Sequence, residues 1–166
     1  MKHVKMYNVI FPIWFIWLFP PIVFISLAGN FIIDSVVVLL GLKILHIIDK
    51  TGMTSGSLYK KSIIKVWLFG FLSDFIGTAF LFLVLISDSL PQEIIGSISF
   101  NPFTNVFGLL IILISMLIAS VFIYFFNYRF TFKWIEDKVS RRAISLLLAI
   151  VTSPWTFLIP TGWFYS

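Results

Sequence analysis

Two carboxylates set inside hydrophobic runs are the groups with which this chain could do chemistry: Asp34, between Asn30 and Gly41, and Asp74, in the run from Val66 to Ser87. An ionisable group at bilayer depth is costly and ordinarily faces protein or a water-filled cavity. Asp34 lies nine residues before Lys43, and Asp74 lies nine residues after Lys65. On antiparallel helices rising about 1.5 Å per residue, both carboxylates then sit about 13 Å from the basic boundary and can meet at one level. Two carboxylates that meet repel unless a proton, a bound cation or a basic side chain compensates, which is a physical route to proton coupling or cation binding. The plainer alternative is that each bonds separately to a Ser, a Thr, a backbone group or a snorkelling Lys65 and serves helix packing alone.

Helical spacing sets polar and small residues beside these carboxylates. Asn30, Asp34 and Gly41 fall at i, i+4 and i+11, and Gly70, Asp74 and Gly77 at i, i+4 and i+7, so small residues permit close helix approach on both faces. Gly108, Ser115 and Ala119 form a similar stripe, and Ser120 and Thr152 fall at the depth of the carboxylates. The expectation is a polar layer within a helical bundle. Its candidate substrate- or ion-binding residues are Asn30, Asp34 and Asp74, with Asn127 and Arg129 at the end of a later span.

The elements that must position them are membrane helices. Of 166 residues, 60% are hydrophobic and 11% charged, far from the balance of a soluble globular domain. A span needs about 20 predominantly apolar residues, and the chain has several such runs separated by short polar clusters. The fold class expected is all-α, a polytopic bundle of about four transmembrane helices forming one domain. We read an interfacial segment at residues 9–19, where Trp14 and Trp17 precede Pro20-Pro21, and spans at about 20–44, 66–87, 103–126 and 143–163. Two alternatives concern the first run: a tight hairpin of two spans at 9–28 and 30–48, and a signal peptide over residues 1–28.

Lysine and arginine cluster at 43–65 and 127–142, whereas residues 88–101 and the C-terminal tail have none. By the positive-inside rule the first two segments are cytoplasmic and the others external. Residues 51–57, with Gly52 and Gly56, read as a flexible linker, and Pro91 and Gly96 mark a short ordered outer loop. The net charge of +5 serves orientation and anionic lipid rather than nucleic acid. Without cysteine there are no disulfides or thiolate sites, and His3 and His46 have no metal-ligand spacing. Neither a metal site nor a cofactor is expected. Phosphate loops, G-x-S-x-G, H-E-x-x-H and a potassium filter sequence are absent, so an enzyme is not expected.

The segment Ser120 to Lys133, SVFIYFFNYRFTFK, closes an apolar run with Asn127, Tyr128, Arg129, Phe130, Thr131 and Phe132. It resembles the end of a span in the GtrA-like family of small four-helix membrane proteins, and Asn30 to Leu40, with Ile33-Asp34, resembles that family's opening helix. The resemblance covers about 25 residues, with Asn and Arg one position further apart than in the family pattern. It implies translocation of a polyprenyl-phosphate-linked sugar, with Asp34, Asn127 and Arg129 carried over. The alternative for Asn127 and Arg129 is a helix cap and a cytoplasmic anchor.

The expected function is therefore a small membrane transporter or flippase-like facilitator in a bacterial plasma membrane, acting on a lipid-linked or small charged solute. Its rival is a noncatalytic subunit whose small-residue faces dock a larger membrane complex or further copies of itself.

Overall fold

In lipid every backbone amide must be satisfied within its own segment, so apolar runs of this length become helices. The computed structural model describes residues 22–87 and 89–164. Within them the regular structure is entirely helical. Helix α1 (Ile22–Ile44) ends where His46 takes a left-handed conformation, φ 51°. A short α2 (Ile47–Thr51) follows and stops at Gly52, whose φ of 65° favours a residue without Cβ. Thr54 then caps α3 (Ser55–Ile86), accepting from the Ser57 amide at 3.4 Å. Helix α4 (Gln92–Ser99) crosses the far end, α5 (Val106–Phe126) returns, and α6 (Lys138–Val151) closes the bundle.

Three helices are long and apolar enough to cross a membrane: Phe24–Ile44, Ser55–Ile86 and Val106–Thr131. They mark an integral membrane protein. The first runs unbroken through Gly29 and Asn30, so no hairpin turn exists there. The expected interfacial segment lies outside the described residues. Helix α3 begins eleven residues before its apolar run, and residues expected to form a flexible linker are divided between the end of α2, the cap at Thr54 and the first turn of α3. At about 48 Å it exceeds the hydrocarbon core, so Lys60 and Lys61 ride on helix beyond the apolar zone. The segment expected to form a short ordered loop is ordered, as α4 with a 3-10 turn at Pro102–Thr104.

The tract expected to cross at 143–163 is not one helix. Helix α6 starts five residues earlier and ends at Val151, about 21 Å long. Pro154 cannot donate an amide and disfavours helix at Ser153, so 3-10 turns at Trp155–Leu158 and Thr161–Phe164 take over.

Two apolar clusters hold the ends of the bundle. At the basic end Val38, Leu42, Leu58, Ile63, Ile123, Ile144 and Leu148 pack together. At the α4 end Leu81, Ile98, Ile112, Met116 and Phe157 do so. Phe157 carries the chain beyond α6 into that second cluster. Between them α3 packs most extensively on α5, and its other large contact is with α1. The α3–α5 seam is tight at Gly77, where an added Cβ would lie 3.1 Å from the Ser115 carbonyl oxygen and 3.2 Å from Ala119 Cβ. Ser115 Oγ donates to the Gly77 carbonyl at 2.8 Å across the same seam.

The start of α6 is fixed electrostatically. Asp137 accepts from the Val139 amide at 3.0 Å and from Ser140 Oγ at 2.6 Å, and Lys50 reaches its Oδ2 at 3.1 Å. The Ser140 hydroxyl, then Lys50 and the Val139 amide, hold this carboxyl well below the usual carboxylate range.

Gly77→Leu is expected to lower the thermal midpoint in detergent by an amount corresponding to about 1–3 kcal/mol of overpacking. Gly56→Leu, on the same helix with no atom within 4 Å of its Cβ position, is expected to change it little. Asp137→Ala should lower the midpoint above the ordinary carboxylate value near 3.8, where the ionised cap contributes fully. The difference from the parent protein should shrink as pH falls below that value, because the unfolded parent then takes up a proton that the folded, hydrogen-bonded cap does not. A pH series of melting curves on both proteins checks the sign.

Candidate functional site

Asp34 on α1 and Asp74 on α3 converge. Both are buried, 3% and 5% exposed, and both line one cavity of about 130 Å³ with Asn30 and Gly70. Gly70 lies against Asp34: the Asp34 Oδ2 is 3.6 Å from the point a Cβ at Gly70 would occupy, ordinary van der Waals contact. Asp74 is one helical turn further along the same face. The equal spacing of the two carboxylates from the flanking lysines is thus realised as a shared depth.

Side chains nearby hold α1 against α3. Trp67 Nε1 donates to the Leu27 carbonyl at 2.9 Å, and its ring meets Phe31 edge-on at 5.9 Å. The Ser35 hydroxyl donates to the Phe31 carbonyl at 2.6 Å and pairs with the Tyr59 hydroxyl at 2.9 Å. These bonds fix the rotation of α1, and with it the direction of Asp34.

The opposite wall is the broken chain from Val151 to Thr156. Ending a helix at this depth frees carbonyl groups, and local donors meet several of them. The Thr152 amide and hydroxyl both donate to the Leu148 carbonyl, at 2.8 and 2.9 Å. Trp155 Nε1 donates to the Ile150 carbonyl at 3.1 Å. Ser153 Oγ pairs with Ser120 Oγ at 2.8 Å, which ties the break to α5. Ser120 and Thr152, expected at carboxylate depth, therefore both join this layer, Thr152 directly and Ser120 through Ser153.

The cavity retains hydrogen-bonding capacity. Among the described residues, Asp74 Oδ1 and Thr156 Oγ1 are buried without a hydrogen-bond partner, and neither Asp34 nor Asp74 forms a salt bridge. Lys65, a possible partner by sequence, is exposed. The C-terminal end of α6 adds the negative pole of its dipole. Such an arrangement can hold a proton between two carboxylates or accept a cation with oxygen ligands from Asp, Asn and Thr. No group of three or more His, Asp or Glu side chains suited to a metal occurs among the described residues.

Asn127 and Arg129 stand apart from this cavity. After Phe126 the chain makes a π-helical turn at Asn127–Thr131, in which the Phe132 amide bonds the Asn127 carbonyl at 2.9 Å. Asn127 is buried and donates from Nδ2 to the Ile123 carbonyl, while Arg129 is exposed. Two residues apart on a helical turn, they cannot face the same neighbour. The residue that ties this turn to α6 is Arg141, whose Nε donates to the Tyr128 carbonyl at 2.7 Å. Sequence reasoning placed Gly70 on the face of close approach but missed Ser153 and Thr156. Pro154, inside an expected span, was the available signal for both.

In this chain, which has no native cysteine, Asp34→Cys with Gly70→Cys is expected to cross-link on oxidation. Asp34→Cys with Arg129→Cys is not. A protease site placed at Gly52-Met53 reads the outcome, since only the cross-linked chain stays in one piece on a non-reducing gel.

Protein-family models, curated proteins and solved structures were all compared with this chain, and none of them matches it.

Proposed function

We propose that this protein is a small membrane transporter for a cationic solute, with Asp34 and Asp74 as its binding carboxylates and its basic end facing the cytoplasm of a bacterial plasma membrane. The observation that carries the reading is the convergence of two buried carboxylates on a cavity whose third wall is the break between α6 and the 3-10 turn at Trp155–Leu158. Irregular backbone at membrane depth is tolerated where it is buried in protein or lines a cavity, and broken helices of this kind commonly surround transport sites. In this reading α6 and the turns after it form a fourth, discontinuous crossing, supported by the packing of Phe157 with Leu81 and Ile112.

The cationic reading is favoured over an anionic lipid-linked sugar by the placement of charge. The carboxylates line the cavity, whereas Arg129 is exposed at the basic end. A GtrA-like activity would instead draw on Arg129 and Asn127. The rival reading, a noncatalytic subunit, draws on the large exposed apolar side chains of α1, such as Ile25 and Ile32, which lipid or a partner helix would cover equally well.

Purified protein in liposomes, assayed for uptake of monovalent and organic cations under an imposed gradient, tests these readings. The expected result is flux that Asp74→Asn abolishes and Arg129→Ala leaves within about twofold, since losing one member of a functional carboxylate pair costs far more than losing a remote surface charge. The reverse sensitivity would support the anionic substrate. Absence of flux together with stoichiometric co-purification of a second membrane protein would support the subunit.

A further inference from the structure

The carboxylate cavity does not stand alone. Ser153 and Trp155, which line it, also line a second and larger space of about 520 Å³ between α5 and α6. That volume lies within the range of about 300–1,000 Å³ typical of small-molecule sites. Its walls are apolar side chains, among them Leu117, Val121, Leu146 and Ile150. All four are exposed, Leu117 and Val121 on the α5 span and Leu146 and Ile150 on α6. An open apolar groove and a buried acidic pocket thus lie back to back, with Ser153 and Trp155 as their common wall.

From this juxtaposition we infer that the ligand is an amphiphilic amine: a cationic head seated between Asp34 and Asp74, and an alkyl or aryl tail lying in the groove between α5 and α6. The inference rests on the reading of the carboxylate cavity as a cation site, and it names the substrate class. Charge complementarity selects the head. Asp74 Oδ1 is buried without a hydrogen-bond partner among the described residues, and neither carboxylate has a basic neighbour within salt-bridge distance among them. The groove selects the tail, because an apolar chain loses nothing on leaving lipid for a wall of Leu, Ile and Val and keeps the head desolvated beside its counter-charge. Trp155 stands at the junction, half exposed, with its indole N–H engaged by the Ile150 carbonyl and its ring available to an ammonium group. Entry from the bilayer, rather than through an aqueous mouth, follows from the groove's exposure to lipid.

The test uses the full chain in nanodiscs and equilibrium dialysis with dodecyltrimethylammonium, tetramethylammonium and the uncharged dodecyl maltoside, each corrected for empty nanodiscs. Dodecyltrimethylammonium is expected to bind saturably, and Asp74→Asn to weaken it about thirtyfold or more, as for loss of one partner of a desolvated charge pair. Val121→Trp, a lipid-exposed change that narrows the groove, is expected to weaken dodecyltrimethylammonium about tenfold while leaving tetramethylammonium unaltered. Size-exclusion profiles confirm that each variant remains folded, and Val121→Trp carries the test if Asp74→Asn does not fold.

Equal affinity for the long and short ammonium ions, with both lost in Asp74→Asn, would overturn the amphiphile and leave the cation site standing. So would dodecyltrimethylammonium binding unchanged by Val121→Trp, which would show that the groove does not hold the tail. Binding of dodecyl maltoside as tight as that of the ammonium would overturn the role of charge. Failure of all three probes to bind, with no cation flux in liposomes, would overturn the cation site itself.

Discussion

The close approach of α3 to α5 at Gly77 is the contact on which the rest of the bundle depends. Lipid offers no hydrophobic drive to bring helices together, so association rests on packing and on hydrogen bonds between backbones that can come near each other. Gly77 lets Ser115 and Ala119 reach the α3 backbone, and the Ser115 hydroxyl bonds the Gly77 carbonyl directly. Gly70, two turns away on the same helix, leaves room for the Asp34 carboxylate of α1. Asp74 lies between these two glycines. It therefore lies on the stretch of α3 where small residues permit contact with both neighbouring helices.

The second constraint is the satisfaction of polar groups where the fourth apolar tract breaks. A helix that ends against the bundle frees carbonyls, and local donors meet several of them. Thr152 and Trp155 supply donors to Leu148 and Ile150, while Ser120 and Ser153 lock the break to α5. The apolar clusters at the two ends stabilise the bundle on either side of this layer. The layer itself is costly, with buried carboxylates and orphaned oxygens that hydrophobic packing alone would not retain. The proposed cation, or a proton, would offset that cost by removing the repulsion between the two carboxylates.

Residue types and their spacing set the material and the level along each helix. Its apolar runs and clustered lysines establish a helical membrane protein. The spacing of Asp34 and Asp74 from Lys43 and Lys65 sets a common level, because rise per residue converts directly into distance along a straight helix. The polar partners Ser120 and Thr152 were legible by the same counting. Tertiary structure alone decided rotation and continuity. Whether Asp34 faces α3 depends on Trp67 and Tyr59, which lie 33 and 25 residues away in the chain. Asn127 and Arg129 look adjacent in sequence, yet a π-helical turn buries one and exposes the other. The break after Val151 opposes an otherwise persuasive apolar run, because a single proline outweighs hydropathy when neighbouring side chains can satisfy the carbonyls it frees. Composition and spacing act locally along one helix, whereas a site between helices is set by which small residues let those helices touch.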